Sequence, residues 1–143
     1  MSLFKTLDVA ATGLAAQNVR LNLTASNLAN ADALSSSVNE TYRARHPVFA
    51  AVYDTVALDA GAEFAAASVG VSVTDVVESA VPLRADYRPD HPLADQQGYV
   101  YRPNVNMVEE LANMISASRS YETNVEVINT SKQLLLRTLS LGQ

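Results

Sequence analysis

A mainly α fold with a small β element is expected from the sequence: long N- and C-terminal helices paired as a coiled-coil-like hairpin, with a short β-rich segment between them. Leu7, Leu14, Leu21 and Leu28 recur every seven residues near the N-terminus. Met107, Met114, Tyr121, Ile128 and Leu135 do the same near the C-terminus. Between these stretches the apolar period drops to two, and Pro82, Pro89, Pro92 and Pro103 keep the runs short.

The N-terminal stretch comes first. Phe4, Ala11, Asn18 and Ala25 each stand three residues before one of the leucines, giving an a/d heptad over about four repeats. Small Ala at the a positions lets a partner helix approach closely, and Asn18 can set register. The remaining face is polar without charge: Thr12, Gln17, Asn22, Thr24, Ser26 and Asn27. A solvated helix ordinarily carries Glu and Lys, whereas interface cores are depleted in charge. The helix is therefore expected to be contacted on several sides.

The C-terminal stretch repeats the plan. Asn106 and Glu109 fit an N-cap and N3 pair after Pro103 and Asn104. Leu111, Val125 and Leu139 take the d positions, which Ser118 and Lys132 interrupt, and Gly142 stands where a C′ glycine belongs. At 1.5 Å per residue the two helices run roughly 40 and 50 Å, too long to be buried along their full length by the small middle segment. The expected division is an N-terminal helix segment over 1–34, a β/loop segment over 35–102 and a C-terminal helix segment over 103–143. The seam residues Leu7, Leu14, Leu21, Leu28, Met107, Leu111, Met114, Tyr121, Val125, Ile128, Leu135 and Leu139 are the candidate subunit interface.

In the middle, Val69, Val71 and Val73 alternate with Gly70, Ser72 and Thr74, a strand pattern. Leu83, Ala85 and Tyr87 alternate likewise, as do Tyr99 and Tyr101 around Val100, and Tyr42–Tyr53 supplies a further candidate strand. Residues 31–41 and 54–68 are expected as loops.

Composition narrows the function. Of 143 residues, 48% are hydrophobic but only 6% aromatic, so an Ala-rich core buries little area per residue and stability is expected to come from partners. The net charge of -5 argues against nucleic acid, which requires a basic face. No cysteine is present, which excludes disulfides and thiolate metal sites. No run of 18 apolar residues is present to span a membrane, and the opening Met1-Ser2-Leu3-Phe4-Lys5 lacks the layout of a cleaved signal peptide.

Candidates for chemistry are few. His46 and His91 both precede proline, and Asp90, His91 and Asp95 lie close together. A metal site there lacks a recognisable third ligand and supporting shell, so the expectation is a turn pinned by His-Pro and capped by Asp. Asp75 and Glu78 are expected as a solvated rim. No nucleophile elbow, phosphate-binding glycine loop or HExxH motif is present. No catalytic residue, cofactor or metal is expected.

Thr24-Ala-Ser-Asn-Leu-Ala-Asn-Ala-Asp32, containing Ser26, Asn27, Leu28, Ala29, Asn30 and Ala31, resembles the signature of the flagellar axial proteins, the group of rod and hook subunits. Tyr42–Arg45, His91–Asp95 with Gly98–Val100, Pro103–Leu111, Asn113–Tyr121, Asn124–Glu126 and Asn129, Thr130 and Lys132 resemble the proximal-rod members in particular. The likeness covers both ends and weakens over 54–68. It implies a structural subunit of a rod crossing the periplasm, stacked helically around an export channel and transmitting torque. Export would run through the flagellar type III apparatus without a cleaved signal. The implied partners are further copies, other rod proteins, and the export-gate and membrane-ring proteins at the rod base, with no nucleic acid or small-molecule substrate. Uncharged helix surfaces then suit both neighbouring subunits and a lumen where unfolded cargo must not adhere. The alternative from a binding class is a soluble coiled-coil adaptor of an export or envelope complex. The alternative from an enzyme class is a hydrolase or metal protein using Asp90, His91 and Asp95.

Overall fold

The computed structural model describes residues 3–53 and 68–141. Their order is α1 (Leu3–Ala29), β1 (Arg45–Tyr53), β2 (Ser68–Glu78), β3 (Arg84–Tyr87), β4 (Tyr99–Arg102) and α2 (Met107–Leu141). Two long helices thus flank four strands, in agreement with the expected class. β2, β3 and β4 fall on the three period-two stretches and β1 within the further candidate Tyr42–Tyr53, although β2 runs on to Glu78. Of the loop expected over 54–68, Ser68 instead opens β2, while 54–67 and the Gly142 cap lie outside the described residues.

Local chemistry sets the helix ends. The Asn30 amide N–H donates to both Ser26 O (3.1 Å) and Asn27 O (3.2 Å), the shared bond common at helix termini, and Asn30 Nδ2 caps Ser26 O at 2.8 Å. The helix accordingly stops at Ala29. At the other end Asn106 Oδ1 accepts from Val108 N at 3.2 Å, and Glu109 and Glu110 lie in the first turn, where the helix dipole favours negative charge.

The chain divides into two compact units, each drawing on both helices. Unit 1 holds residues up to 19, 48–75 and 117 onward. In it, Gly13 faces Asn124 so closely that a Cβ would lie 2.9 Å from Asn124 Nδ2. Gly70 of β2 lies against Thr12, where a Cβ would come within 2.7 Å of the hydroxyl. That hydroxyl accepts from Val71 N (3.2 Å) and donates to Val9 O (2.8 Å), tying strand to helix. Ala10, Ala16, Ala117 and Ser131 are buried in this unit.

Unit 2 holds residues 20–47 and 76–116. Its β3 and β4 pair antiparallel, with Arg84 opposite Arg102 and Tyr87 opposite Tyr99. The two tyrosine rings meet edge to face at 5.2 Å, a favoured cross-strand arrangement. Ser35 extends the ladder by exchanging backbone bonds with Tyr101 (3.0 and 2.9 Å). Val100 is fully buried, and Arg102 bridges Asp32 (3.1 Å) and Asp86 (3.6 Å). The β1–β2 ribbon is likewise antiparallel here: Ser79 N reaches Ala44 O at 2.8 Å and Arg45 pairs with Glu78 at 3.3 Å.

Candidate functional site

The heptads locate the helix faces, but the columns covered within the chain lie beside the ones expected. In α2 the covered positions are Glu110, Met114, Ala117, Tyr121, Asn124, Ile128, Ser131 and Leu135, spaced alternately by four and three. The first column is the expected one. The second is the set Glu110, Ala117, Asn124 and Ser131; of the expected column Ser118 and Val125 are also half-buried, whereas Leu111 and Lys132 are exposed. In α1, Leu7, Leu14, Leu21 and Leu28 are half-buried, and their covered companions are Ala10, Gln17 and Thr24, with Ala31 just past the helix end. Phe4, Ala11, Asn18 and Ala25 are exposed. At Gly13 the missing side chain leaves room for that of Asn124, which a Cβ there would meet at 2.9 Å.

The candidate seam residues consequently divide. In unit 1, Leu7, Leu14, Tyr121, Val125, Ile128 and Leu135 are half-buried, whereas Leu139 is 69% exposed. In unit 2, Leu21, Leu28 and Met114 are half-buried, whereas Met107 and Leu111 stand exposed together with Val108 (76%) and Ile115 (56%). Val108, Leu111 and Ile115 follow i, i+3, i+7 spacing and form an apolar ridge roughly a third of a turn around α2 from the covered side. In unit 1 a groove of about 510 Å³ runs along α2, lined by Tyr121, Glu122, Val125, Glu126, Asn129 and Gln133 among others.

The Ser26–Ala31 motif does internal work in unit 2. Asn27, 1% exposed, accepts from Tyr42 Oη (2.8 Å) and Arg45 N (2.9 Å) at Oδ1 and donates from Nδ2 to Arg45 O (2.9 Å). The Tyr42 hydroxyl also lies 3.2 Å from Ser26 Oγ, and the Arg45 guanidinium sits over the Tyr42 ring at 5.6 Å. One helical amide thereby docks the entry to β1. Asn104 supplies a second such clamp: its Oδ1 accepts from Ala44 N (2.9 Å), and its Nδ2 donates to Ser79 O (3.2 Å) and Val81 O (2.7 Å). Sequence reasoning listed Asn27 as a motif letter and Asn104 as a loop residue without finding either role. The available signal was an amide beside a leucine column, and an Asn–Pro neighbourhood just before a helix.

The Asp90–Asp95 loop is accounted for structurally. Asp95 Oδ1 accepts from Tyr99 N (2.9 Å) and Gln97 N (2.8 Å), and Oδ2 from Tyr101 Oη (3.2 Å). His91 Nδ1 accepts from Leu93 N at 3.1 Å. Gly98 adopts φ of 84°, the left-handed conformation that closes this turn, and packs under Tyr87. Among the described residues no group of three His, Cys, Asp or Glu is arranged to hold a metal ion.

The Tyr99 amide above all holds the Asp95 carboxyl below its ordinary value; burial opposes it, and the Gln97 amide and the Tyr101 hydroxyl add to the lowering. A carboxylate with a lowered folded-state pKa contributes stability that is present above the unfolded value and lost as pH falls through the folded one. The loop is therefore expected to be pH-insensitive near neutrality and to loosen only in acid, below the ordinary carboxylate range. Amide exchange at Gln97 and Tyr99 followed against pH checks this, and Asp95→Asn should abolish the acid-side dependence.

Known proteins place these features in one group. Residues 7–33 match the flagella basal body rod protein family, and residues 96–141 match the flagellar basal body rod FlgEFG protein C-terminal family. The flagellar basal-body rod protein FlgC of Escherichia coli O6:H1 is 48% identical over 143 residues, covering all of both chains. The chain belongs to the FlgC family of flagellar basal-body rod proteins. FlgC of Salmonella typhimurium is 47% identical over the full length of both chains, and that of Borreliella burgdorferi is 36% identical across all of this chain and 99% of its own. The two matched segments take in most of α1 with Asn27, and β4 with α2. The FlgC-type family is a structural one, not an enzyme family.

Proposed function

We propose that this chain is a structural subunit of the flagellar basal-body rod, built into the proximal rod as one of several copies. The carrying observation is full-length similarity to FlgC proteins at both termini together with the middle segment. The exposed ridge of Val108, Leu111 and Ile115 supports it, since apolar stripes of this kind mark interaction surfaces.

The two helices pair as an antiparallel, coiled-coil-like hairpin. One bond between the helices in unit 2 supports this, Arg20 to Asn113, and just outside the helix ends Asp32 reaches Arg102 of β4. Residues 1–34 and 103–143 then form the inner tube around the export channel, with 35–102 outside it. Seams along Leu7–Leu28 and Met107–Leu139 meet neighbouring copies, other rod proteins and, at the base, export-gate and membrane-ring proteins. Contacts that are heterologous and do not close generate an open helical array, which can carry torque. Delivery through the flagellar type III apparatus without a cleaved signal completes the reading. No helix among the described residues is long and apolar enough to cross a membrane.

The test is compositional. Purified basal bodies should contain this chain at a fixed low stoichiometry, and cells lacking it should be non-motile. A discrete adaptor would instead be recovered as a soluble monomer or dimer, absent from basal bodies.

A further inference from the structure

Glu122 and Glu126 stand four residues apart on the exposed side of α2 in unit 1 and line the groove described above. Like charges at that spacing repel, and neither carboxylate has an ion-pair partner among the described residues. Further along the helix Lys132 and Arg137 are exposed and equally without an ion-pair partner there. After Glu126 the helix carries no acidic residue, in a chain of net charge -5. At about 3.6 residues per turn, Glu122, Glu126, Leu136 and Arg137 share one side of α2, with Lys132 and Leu139 at its edge. That side lies away from the covered column of Asn124 and Ser131.

The leucines of this stretch are uncovered for a geometric reason. Gly13 of α1 meets Asn124 of α2. From there α1 has ten residues to Leu3, whereas α2 has seventeen to Leu141. In an antiparallel hairpin the last seven residues of α2, about 10 Å of helix, therefore overhang the start of α1. Leu136 (58% exposed) and Leu139 (69%) belong to that overhang.

We propose that the overhang of one copy packs, parallel and displaced by three helical turns, against the groove on α2 of a second copy of this chain. This rests on the assembly reading given above. A displacement of ten to eleven residues, about 16 Å, sets Lys132 against the second copy's Glu122 and Arg137 against its Glu126 at once. The same displacement brings Leu136 level with Val125. Exposed ion pairs add little affinity, so burial of the leucines drives the contact, and the four charges select its direction and stagger. The two patches occupy different stretches of one helix. The contact is thus heterologous, and each added copy offers a free overhang to the next. An antiparallel pair would set Arg137 against Glu122 and Lys132 against Glu126, and would close as a dimer.

Charge reversal in the full-length chain separates these arrangements, read by sedimentation over a concentration series and by thermal unfolding at low concentration. Glu122→Lys should raise the concentration for half-sedimentation about fivefold and leave the melting temperature unchanged, because the side chain is exposed. Adding Lys132→Glu restores opposite charges across the staggered contact and should return sedimentation to within about twofold of wild type. Adding Arg137→Glu instead should weaken it further. Rescue by Arg137→Glu and not by Lys132→Glu identifies the closed antiparallel pair and overturns the stagger. Rescue by neither overturns the second copy as occupant and leaves another protein to cover this end of α2. In both cases basal bodies that contain the wild-type chain keep the assembly reading standing. A wild-type chain absent from basal bodies overturns that reading and the stagger together.

Discussion

Asn27→Ala is expected to lower the stability of the chain by on the order of 3 kcal/mol, the largest effect foreseen for a single polar side chain. The substitution removes one acceptor and one donor that serve three partners, Tyr42 Oη, Arg45 N and Arg45 O, at a site only 1% exposed. Truncation leaves those groups buried and unpaired, which is more costly than deleting both sides of a bond. Tyr42→Phe deletes one arm only and should cost about 1 kcal/mol. Urea unfolding of both variants checks the ordering. A loss for Asn27→Ala no greater than that for Tyr42→Phe would show that the amide is not the anchor of β1.

The second large effect is on association. Leu111→Asp and Ile115→Asp place a charge on a ridge that is already 44% and 56% exposed, so the fold should tolerate them within about 0.5 kcal/mol. Incorporation into basal bodies, and with it motility, should be lost. Leu21→Asp and Leu135→Asp should block incorporation too, but these leucines are half-buried within the chain, and their substitution also lowers the melting temperature. Comparing the two pairs by circular dichroism and by motility separates an assembly defect from a folding defect. Motile cells carrying Leu111→Asp together with Ile115→Asp would remove the ridge from the rod interface.

The heptad repeat of leucines, and that of Met114, Tyr121, Ile128 and Leu135, were enough to announce two long helices. A period of seven persists only where a helix keeps one side against something. The alternations in Val69–Val73, Ala85–Tyr87 and Tyr99–Tyr101 likewise announced short strands, because side chains on a strand alternate between its two faces. Asn106 announced a cap through its position before an acidic first turn. The turn at Asp95 was legible as well, since Asp, His-Pro and a following Gly favour a closed loop whatever surrounds them.

Which companion column faces inward was not legible. Hydrophobicity favours Leu111 over Glu110 and Ala117, yet Glu110 and Ala117 are the buried ones, because which side of a helix is covered depends on what packs against it. The partners of Asn27 and Asn104 were hidden for a related reason. Each amide bonds to backbone groups eighteen to sixty residues away, and backbone groups are identical in every residue, so the letters carry no trace of the pairing. Sequence by itself determined the helices, the strands, the Asn106 cap and the family, all of which follow from local periodicity and side-chain type. Only tertiary structure decided which apolar residues are covered and which stand exposed as a ridge, because that depends on the shape of a neighbour distant along the chain.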